Sequence, residues 1–136
     1  MAYNGPIRVQ ITGIEELKAK LDRLQDELID EALRRAVTKS AKNVLSIMKP
    51  FTPVDTRNLQ DSEKIEYGRN GMEAFIGPDM AKAPYAPFVE YGFHHWISGK
   101  FIQGQHYIER TAVVTRPQIM STFEDEIKRA VQAAMK

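Results

Sequence analysis

The side chains of this chain that could do chemistry are three histidines, a few carboxylates and a run of aromatics beside scattered bases. His94 and His95 are adjacent, and His106 follows eleven residues later. Neighbours on an extended strand point to opposite faces, so one segment cannot easily aim both at a metal. No H-E-x-x-H and no H-x-x-x-H is present. Asp55, Asp61, Glu63 and Glu90 are the best candidates for general acid–base work or a two-metal nuclease site. Asp55, however, lies in a Pro-Val-Asp-Thr turn, where a carboxylate more naturally accepts backbone N–H groups. Asp61 and Glu63 flank a strand start, where solvated acids are common. Nucleophile-elbow, Walker-type and dinucleotide-binding glycine motifs are all missing. No catalytic, metal or cofactor-binding residue is therefore assigned, and no cofactor is expected. Tyr67, Tyr85, Phe88, Tyr91, Phe93 and Trp96, with Lys100 and Arg110 nearby, are the material of a nucleic-acid stacking platform. Yet residues 85–96 hold Glu90 and no Lys or Arg, whereas a groove that tracks phosphates needs several. An aromatic cluster so poor in charge fits a core and a protein–protein interface better.

The elements that must position these residues belong to one domain of 136 residues, long enough to bury about two-thirds of its unfolded surface. The absence of cysteine excludes a disulfide scaffold, thiolate zinc and iron–sulfur sites and a cysteine nucleophile, and fits synthesis in a reducing cytoplasm. Nineteen Lys and Arg against eighteen Asp and Glu leave a net charge of +1, not the balance of a bulk nucleic-acid coat or a membrane-surface binder. No apolar run approaches the ~20 residues of a membrane span, and the opening residues carry no secretory leader pattern.

Residues 1–6 read as a flexible arm. Ile7, Val9 and Ile11 alternate with polar residues, the period of a strand with one apolar face. Thr12-Gly13-Ile14-Glu15 fits a capping box, and apolar residues recur at steps of three and four from Ile14 to Met48. This predicts one long amphipathic helix ending before Pro50, with a break near Gln25-Asp26; a continuous coiled coil is the competing reading. Its front half is acidic, and its back half carries Arg34, Arg35, Lys39, Lys42 and Lys49 with no acid. That order suits the helix dipole, and equally a complementary neighbour or a basic patch facing DNA. Residues 50–58 form a loop. Lys64–Arg69 and Met72–Ile76 flank Asn70-Gly71, a two-residue hairpin signal. Residues 78–106 read as irregular, mobile or interface-forming, with one helical turn at 88–91. Helical spacing returns from Tyr107, and Pro117 suits the first turn of a new or kinked helix. The expected fold is α+β: a long N-terminal helix and a C-terminal helix packed on a small, mainly antiparallel sheet containing a hairpin.

Three segments, in order, resemble a known family. Pro53-Val54-Asp55-Thr56-Arg57-Asn58-Leu59-Gln60-Asp61-Ser62 is similar to a P-V-D-T-G-x-L-x-x-S stretch, Ile76-Gly77-Pro78 to a strand ending in G-P, and Tyr85-Ala86-Pro87-Phe88-Val89-Glu90-Tyr91-Gly92 to Y-A-x-x-V-E-[FY]-G-T. The start Ile11-Thr12-Gly13-Ile14-Glu15-Glu16-Leu17 also fits. These belong to the tail-completion or head–tail joining (neck) proteins of tailed bacteriophages, also described as minor capsid proteins. The chain departs from that pattern at Arg57, where the family has Gly; at Phe93, where it has Thr; and before the last helix, where both family prolines are gone. A position that needs positive φ would strain an arginine.

The resemblance implies a non-enzymatic virion protein, assembled in the host cytoplasm and placed at the head–tail junction as a ring around the DNA channel. Its partners would be copies of itself (six favoured, twelve the alternative), head-completion and tail-terminator or tail-tube proteins, and passing DNA, with no membrane. The motif residues Pro53, Val54, Asp55, Thr56, Leu59, Ser62, Gly77, Tyr85, Ala86, Val89, Glu90 and Gly92 would maintain the fold. Leu59 would pin its loop to the core, Tyr85, Phe88 and Val89 would anchor their turn, and Glu90 would hold a basic partner or backbone amides. The alternatives are a small nucleic-acid-binding module outside any virion, and a metal-dependent nuclease.

Overall fold

The computed structural model describes residues 6–20, 26–54 and 57–134. Strand β1 (Ile7–Gln10) is followed by helices α1 (Ile14–Lys20) and α2 (Asp26–Phe51), the short helix α3 (Asn58–Asp61), and strands β2 (Glu63–Gly68) and β3 (Glu73–Pro78). Helix α4 (Ala86–Tyr91), strands β4 (Gly92–His94) and β5 (Phe101–Gln103), and helix α5 (Tyr107–Ala134) complete the order. The fold is α+β. The arm before Pro6 and part of the expected helix break near Gln25-Asp26 lie outside the described residues; from Asp26 the chain is helical.

β3 is the centre of an antiparallel sheet in the order β1-β3-β2. Ile7 pairs with Ile76 and Val9 with Ala74, while Ile65 faces Ile76 from the other side. These apolar partners fall on one face because side chains alternate along a strand. That face covers Val37, Ala41, Val44 and Met48 of α2 and forms the main core with Leu59, Ala83, Ala86 and Tyr107. Arg8 of β1 reaches Glu73 of β3 at 2.7 Å. A second cluster, Ile29 and Leu33, gathers Ile14 and Leu17 of α1 with Phe123, Ile127 and Val131 of α5.

α5 lies antiparallel to α2: Arg35 and Lys39 reach Glu126, whereas the later Asn43 bonds the earlier Gln118. The seam is narrow and partly polar. Ala32, Ala36 and Ser40 are fully buried on α2, as are Tyr107, Thr111 and Thr115 on α5. Each threonine hydroxyl donates to the carbonyl four residues back, Thr111 to Tyr107 at 2.7 Å and Thr115 to Thr111 at 2.8 Å. These two threonine hydroxyls are thus satisfied within α5 itself.

Four expectations need correction. α2 does not stop before Pro50 but carries it in its last turn, where Thr52 closes the end by donating its amide to the Met48 carbonyl. α5 is not restarted at Pro117 but runs through it. The carbonyl that loses its bond belongs to Val113, an exposed residue, so water can satisfy it. The β2–β3 turn is not two residues long. Gly68 pairs with Glu73, leaving a four-residue loop with Arg69, Asn70 and Gly71 all at positive φ and with Arg34 donating to the Asn70 carbonyl at 2.7 Å. Finally, residues 78–106 are irregular only in part: they contain α4 and the β4–β5 hairpin.

Glu126 is the ionic tie between the two long helices. Its side chain is 3 % exposed and meets Lys39, Arg35 and Arg129. The Lys39 hydrogen bond, aided by Arg35, holds its carboxyl below its ordinary value against the opposing effect of burial. The stabilisation is present above the ordinary carboxylate range and is lost as pH falls through the lowered folded value. Glu126→Gln is expected to reduce stability by about 1–3 kcal/mol at neutral pH and to flatten the acid limb of stability against pH, measured by urea unfolding.

Candidate functional site

The family-like motifs converge where α3, α4 and the start of α5 meet. Glu90, at the end of α4, is 2 % exposed. Its two carboxylate oxygens accept the backbone amides of Ile108 at 2.9 Å and Glu109 at 3.0 Å. These are among the first amides of α5, which have no partner within the helix. A carboxylate there satisfies them and meets the positive end of the helix dipole. Glu90 thus caps a helix eighteen residues away in sequence. Two further bonds close the junction, from the Gln105 amide to the Val89 carbonyl (2.7 Å) and from the His106 amide to the Glu90 carbonyl (3.1 Å).

Two glycines permit this approach. A Cβ on Gly92 would meet the Ile102 carbonyl oxygen at 2.4 Å, and one on Gly104 would meet the Glu90 carbonyl oxygen at 2.2 Å. Gly92 also has φ +87. The backbones of α4, β4 and the β5–α5 link touch where any side chain would separate them.

The other motif residues hold the neighbouring loops. Arg57 has φ 68 and ψ 0, the left-handed region that costs a non-glycine residue about 1–2 kcal/mol. Asn58 donates to the Lys82 carbonyl at 3.0 Å and the Tyr85 hydroxyl at 2.9 Å. Leu59 is buried in the main core. The Ser62 hydroxyl donates to the Leu59 carbonyl at 2.6 Å, and its own carbonyl accepts from Asp79 at 2.8 Å. Gly77 is buried in β3 opposite Lys64. Ala86 is buried and Val89 half-buried against the core. Pro53 is half-buried and Val54 exposed; Asp55 and Thr56 lie outside the described residues. Phe88 does not anchor its turn inward: it is 56 % exposed and meets Phe93 edge-on at 5.9 Å. Ala83, fully buried, takes the inward place; a small residue between prolines gives no periodic signal.

Among the described residues, the candidate catalytic groups each have another environment. Asp61 is exposed on α3, and Glu90 is occupied as a cap. Glu63 is not a solvated acid: it is buried, one oxygen accepting from the Thr52 hydroxyl and the other without a hydrogen bond. Burial pushes its carboxyl up to about 7, against the Thr52 bond and the Lys49 charge. His94 packs edge-on against Phe101, and His95 accepts the amides of Ile97 and Ser98 at the hairpin tip. His106 faces Glu109 at 3.3 Å. Among the described residues no three His, Asp or Glu gather as a metal site. Nor is any described helix long and apolar enough to cross a membrane.

Most of the basic residues of α2 are engaged within the chain. Arg34 bonds the Asn70 carbonyl, Arg35 and Lys39 meet Glu126, and Lys49 donates to the Gln60 carbonyl at 2.9 Å while Gln60 returns a bond to the Lys49 carbonyl. Lys42 is exposed and makes no ion pair among the described residues. A cluster of exposed apolar residues lies elsewhere. On the β4–β5 hairpin Trp96 is 88 % and Ile97 71 % exposed, with Phe93, Phe101 and Ile102 over two-fifths exposed.

A family model described as "Bacteriophage HK97-gp10, putative tail-component" matches residues 15–92, more than half of the chain, from α1 to the first residue of β4. No curated protein and no solved structure matches the chain.

Glu90→Ala is expected to lower stability by about 2–3 kcal/mol and to speed hydrogen exchange at the Ile108 and Glu109 amides before the rest of α5. For Glu63 the folded carboxyl titrates near 7 and the unfolded one near 4.5, so its contribution is full below the unfolded value and is lost as pH rises through the folded one. Between those two values the stability of Glu63→Gln, from urea midpoints, should gain on the parent by at most about 3 kcal/mol.

Proposed function

This chain belongs to the HK97-gp10-like family of phage tail components, and on that premise we propose that it completes the tail at the neck, as a ring through which the DNA passes. The coarser part of this is established by the family: the chain is a tail-related structural protein of a bacteriophage. The observation that carries the finer part is the β4–β5 hairpin. Its tip residues Trp96 and Ile97 are almost bare, and contiguous exposed apolar surface on a soluble domain marks an interaction site.

In this reading the chain has no catalytic role, and its surfaces serve assembly at the head–tail junction of the virion. Copies of the chain contact one another through unlike surfaces, the arrangement that closes into a ring by rotation. Six copies match the symmetry of a tail, and twelve would match a portal-side connector. A head-completion protein would lie on one side, and a tail-terminator or tail-tube protein on the other. Of the basic residues of α2, Lys42 is the one available to passing DNA. The rival reading, a nucleic-acid-binding module, is weakened because Arg34, Arg35, Lys39 and Lys49 already have partners in the chain.

Particles made without the chain test the proposal. Electron microscopy should show DNA-filled heads without tails beside free tails; complete infectious particles would refute it. Lys42→Glu should leave the fold intact and lower retention of the packaged genome. Lys39→Glu would be a poorer probe, because it also breaks the tie to Glu126. Full retention in the Lys42 variant would remove the DNA contact and leave the ring untouched.

A further inference from the structure

We propose that Glu63 is a proton latch at the end of α2. Protonated, its carboxyl donates to the Thr52 hydroxyl, which in turn donates to the Met48 carbonyl. Ionised, it draws the hydroxyl proton to itself, and the Met48 carbonyl loses that bond. The latch works within a single copy, whatever the chain assembles into.

The sequence puts a carboxylate where the sheet should be apolar. Side chains alternate along β2, so Glu63 shares the face of Ile65, which packs against the main core. It meets the end of α2 there. Met48 is fully buried, Thr52 is 2 % exposed and Glu63 6 %.

Protons are short at this contact. The Thr52 hydroxyl oxygen lies 2.8 Å from the Met48 carbonyl oxygen and 2.5 Å from one Glu63 oxygen, both distances of hydrogen bonds. A hydroxyl has one proton to give. A carbonyl has none, so both contacts are bonds at once only when the carboxyl carries a second proton. Otherwise two acceptors face each other. The other Glu63 oxygen points the same way. It is buried without a hydrogen-bond partner, which suits the carbonyl of a neutral acid and is costly for half of a charge. Burial accordingly raises this carboxyl above its ordinary value.

Little around it offers a counter-charge. Lys49 of α2 is the base whose charge favours ionisation, but its ammonium donates to the Gln60 carbonyl. On α3, Asp61 is exposed. On β3 the residue opposite Glu63 is Pro78. The following Asp79 faces Lys64, whose side chain lies on the other face of β2.

The latch closes a loop. Thr52 and Glu63 bracket the motif-bearing residues 53–62, and the reciprocal Lys49–Gln60 bonds are a second tie across the same span. Losing the proton withdraws one bond from the end of α2, where the Thr52 amide still holds the Met48 carbonyl at 3.0 Å, and leaves a charge in a dry site. The closure therefore loosens as pH rises through the folded value.

NMR titration of the isotopically labelled full-length chain tests this. The Glu63 carboxyl carbon, identified as the resonance lost in Glu63→Gln, should titrate with a midpoint near 7. Across that midpoint the Met48 carbonyl carbon should move upfield as it loses a bond. Protection of the Thr52 amide from hydrogen exchange, corrected for the intrinsic rate, should fall at least about twofold. Glu63→Gln, whose amide donates at every pH, should hold both signals at their low-pH values. Thr52→Val should abolish the Met48 shift, and Thr52→Ser should restore it. A Glu63 midpoint in the ordinary carboxylate range would overturn the latch. So would a midpoint near 7 with the Met48 and Thr52 signals unmoved, or a Met48 shift that persists in Thr52→Val. If Thr52→Val does not fold, the parent compared with Glu63→Gln decides: signals that move only in the parent support the latch, and signals that move in both overturn it.

Discussion

The structure hangs on one carboxylate. Glu90 ends α4 and caps α5, so a short helix in the aromatic segment determines where a 28-residue helix begins. The cap works only because Gly92 and Gly104 let three backbone segments touch. Those same contacts close the base of the β4–β5 hairpin. The capping of α5 and the aim of the hairpin are therefore a single constraint, and neither can shift without the other. Magnitudes agree with this ranking: a charge-assisted bond to backbone amides is stronger than a neutral one, and leaving buried amides unmet is costlier than the bond's net contribution.

From that fixed start α5 runs back along α2, and the seam between them is unusual in being lined by small and hydroxylated residues. Ser40, Thr111 and Thr115 are fully buried, and small residues let the helices lie close. Glu126, clasped by Lys39 and Arg35, sets the rotation of α5 about its own axis. The sheet on the other side of α2 is conventional by comparison, with apolar partners in register across β1, β3 and β2.

Much of this was legible in the chain. Alternation at Ile7–Ile11 and the three-four spacing from Ile14 to Met48 located β1, α1 and α2, and the turn residues Asn70-Gly71 located the hairpin. What periodicity missed was polar residues doing the work of apolar ones. Thr111, Thr115 and Glu126 lie on the buried face of α5, while the apolar Met120 is 61 % exposed. Prolines misled in the same way: Pro50 and Pro117 read as boundaries, yet the carbonyls that lose a bond, those of Ser46 and Val113, belong to exposed residues and can be met by water. The motif around Glu90 showed in the residues, but its role did not. A cap needs the position of a helix that starts many residues later, which no local window contains. Arg57 was the reverse case: an arginine at the family's glycine position argued for a different turn, yet the structure keeps a positive φ there.

The exposed hairpin tip carries the only tryptophan of the chain. In most small proteins indole emission reports unfolding, because a buried ring becomes wet. Here the ring is already wet in the folded subunit, so unfolding should leave that emission nearly unchanged. Its colour would change only when something outside the subunit covers it. The chain thus carries a built-in optical reporter that is blind to its own folding and sensitive to its neighbours.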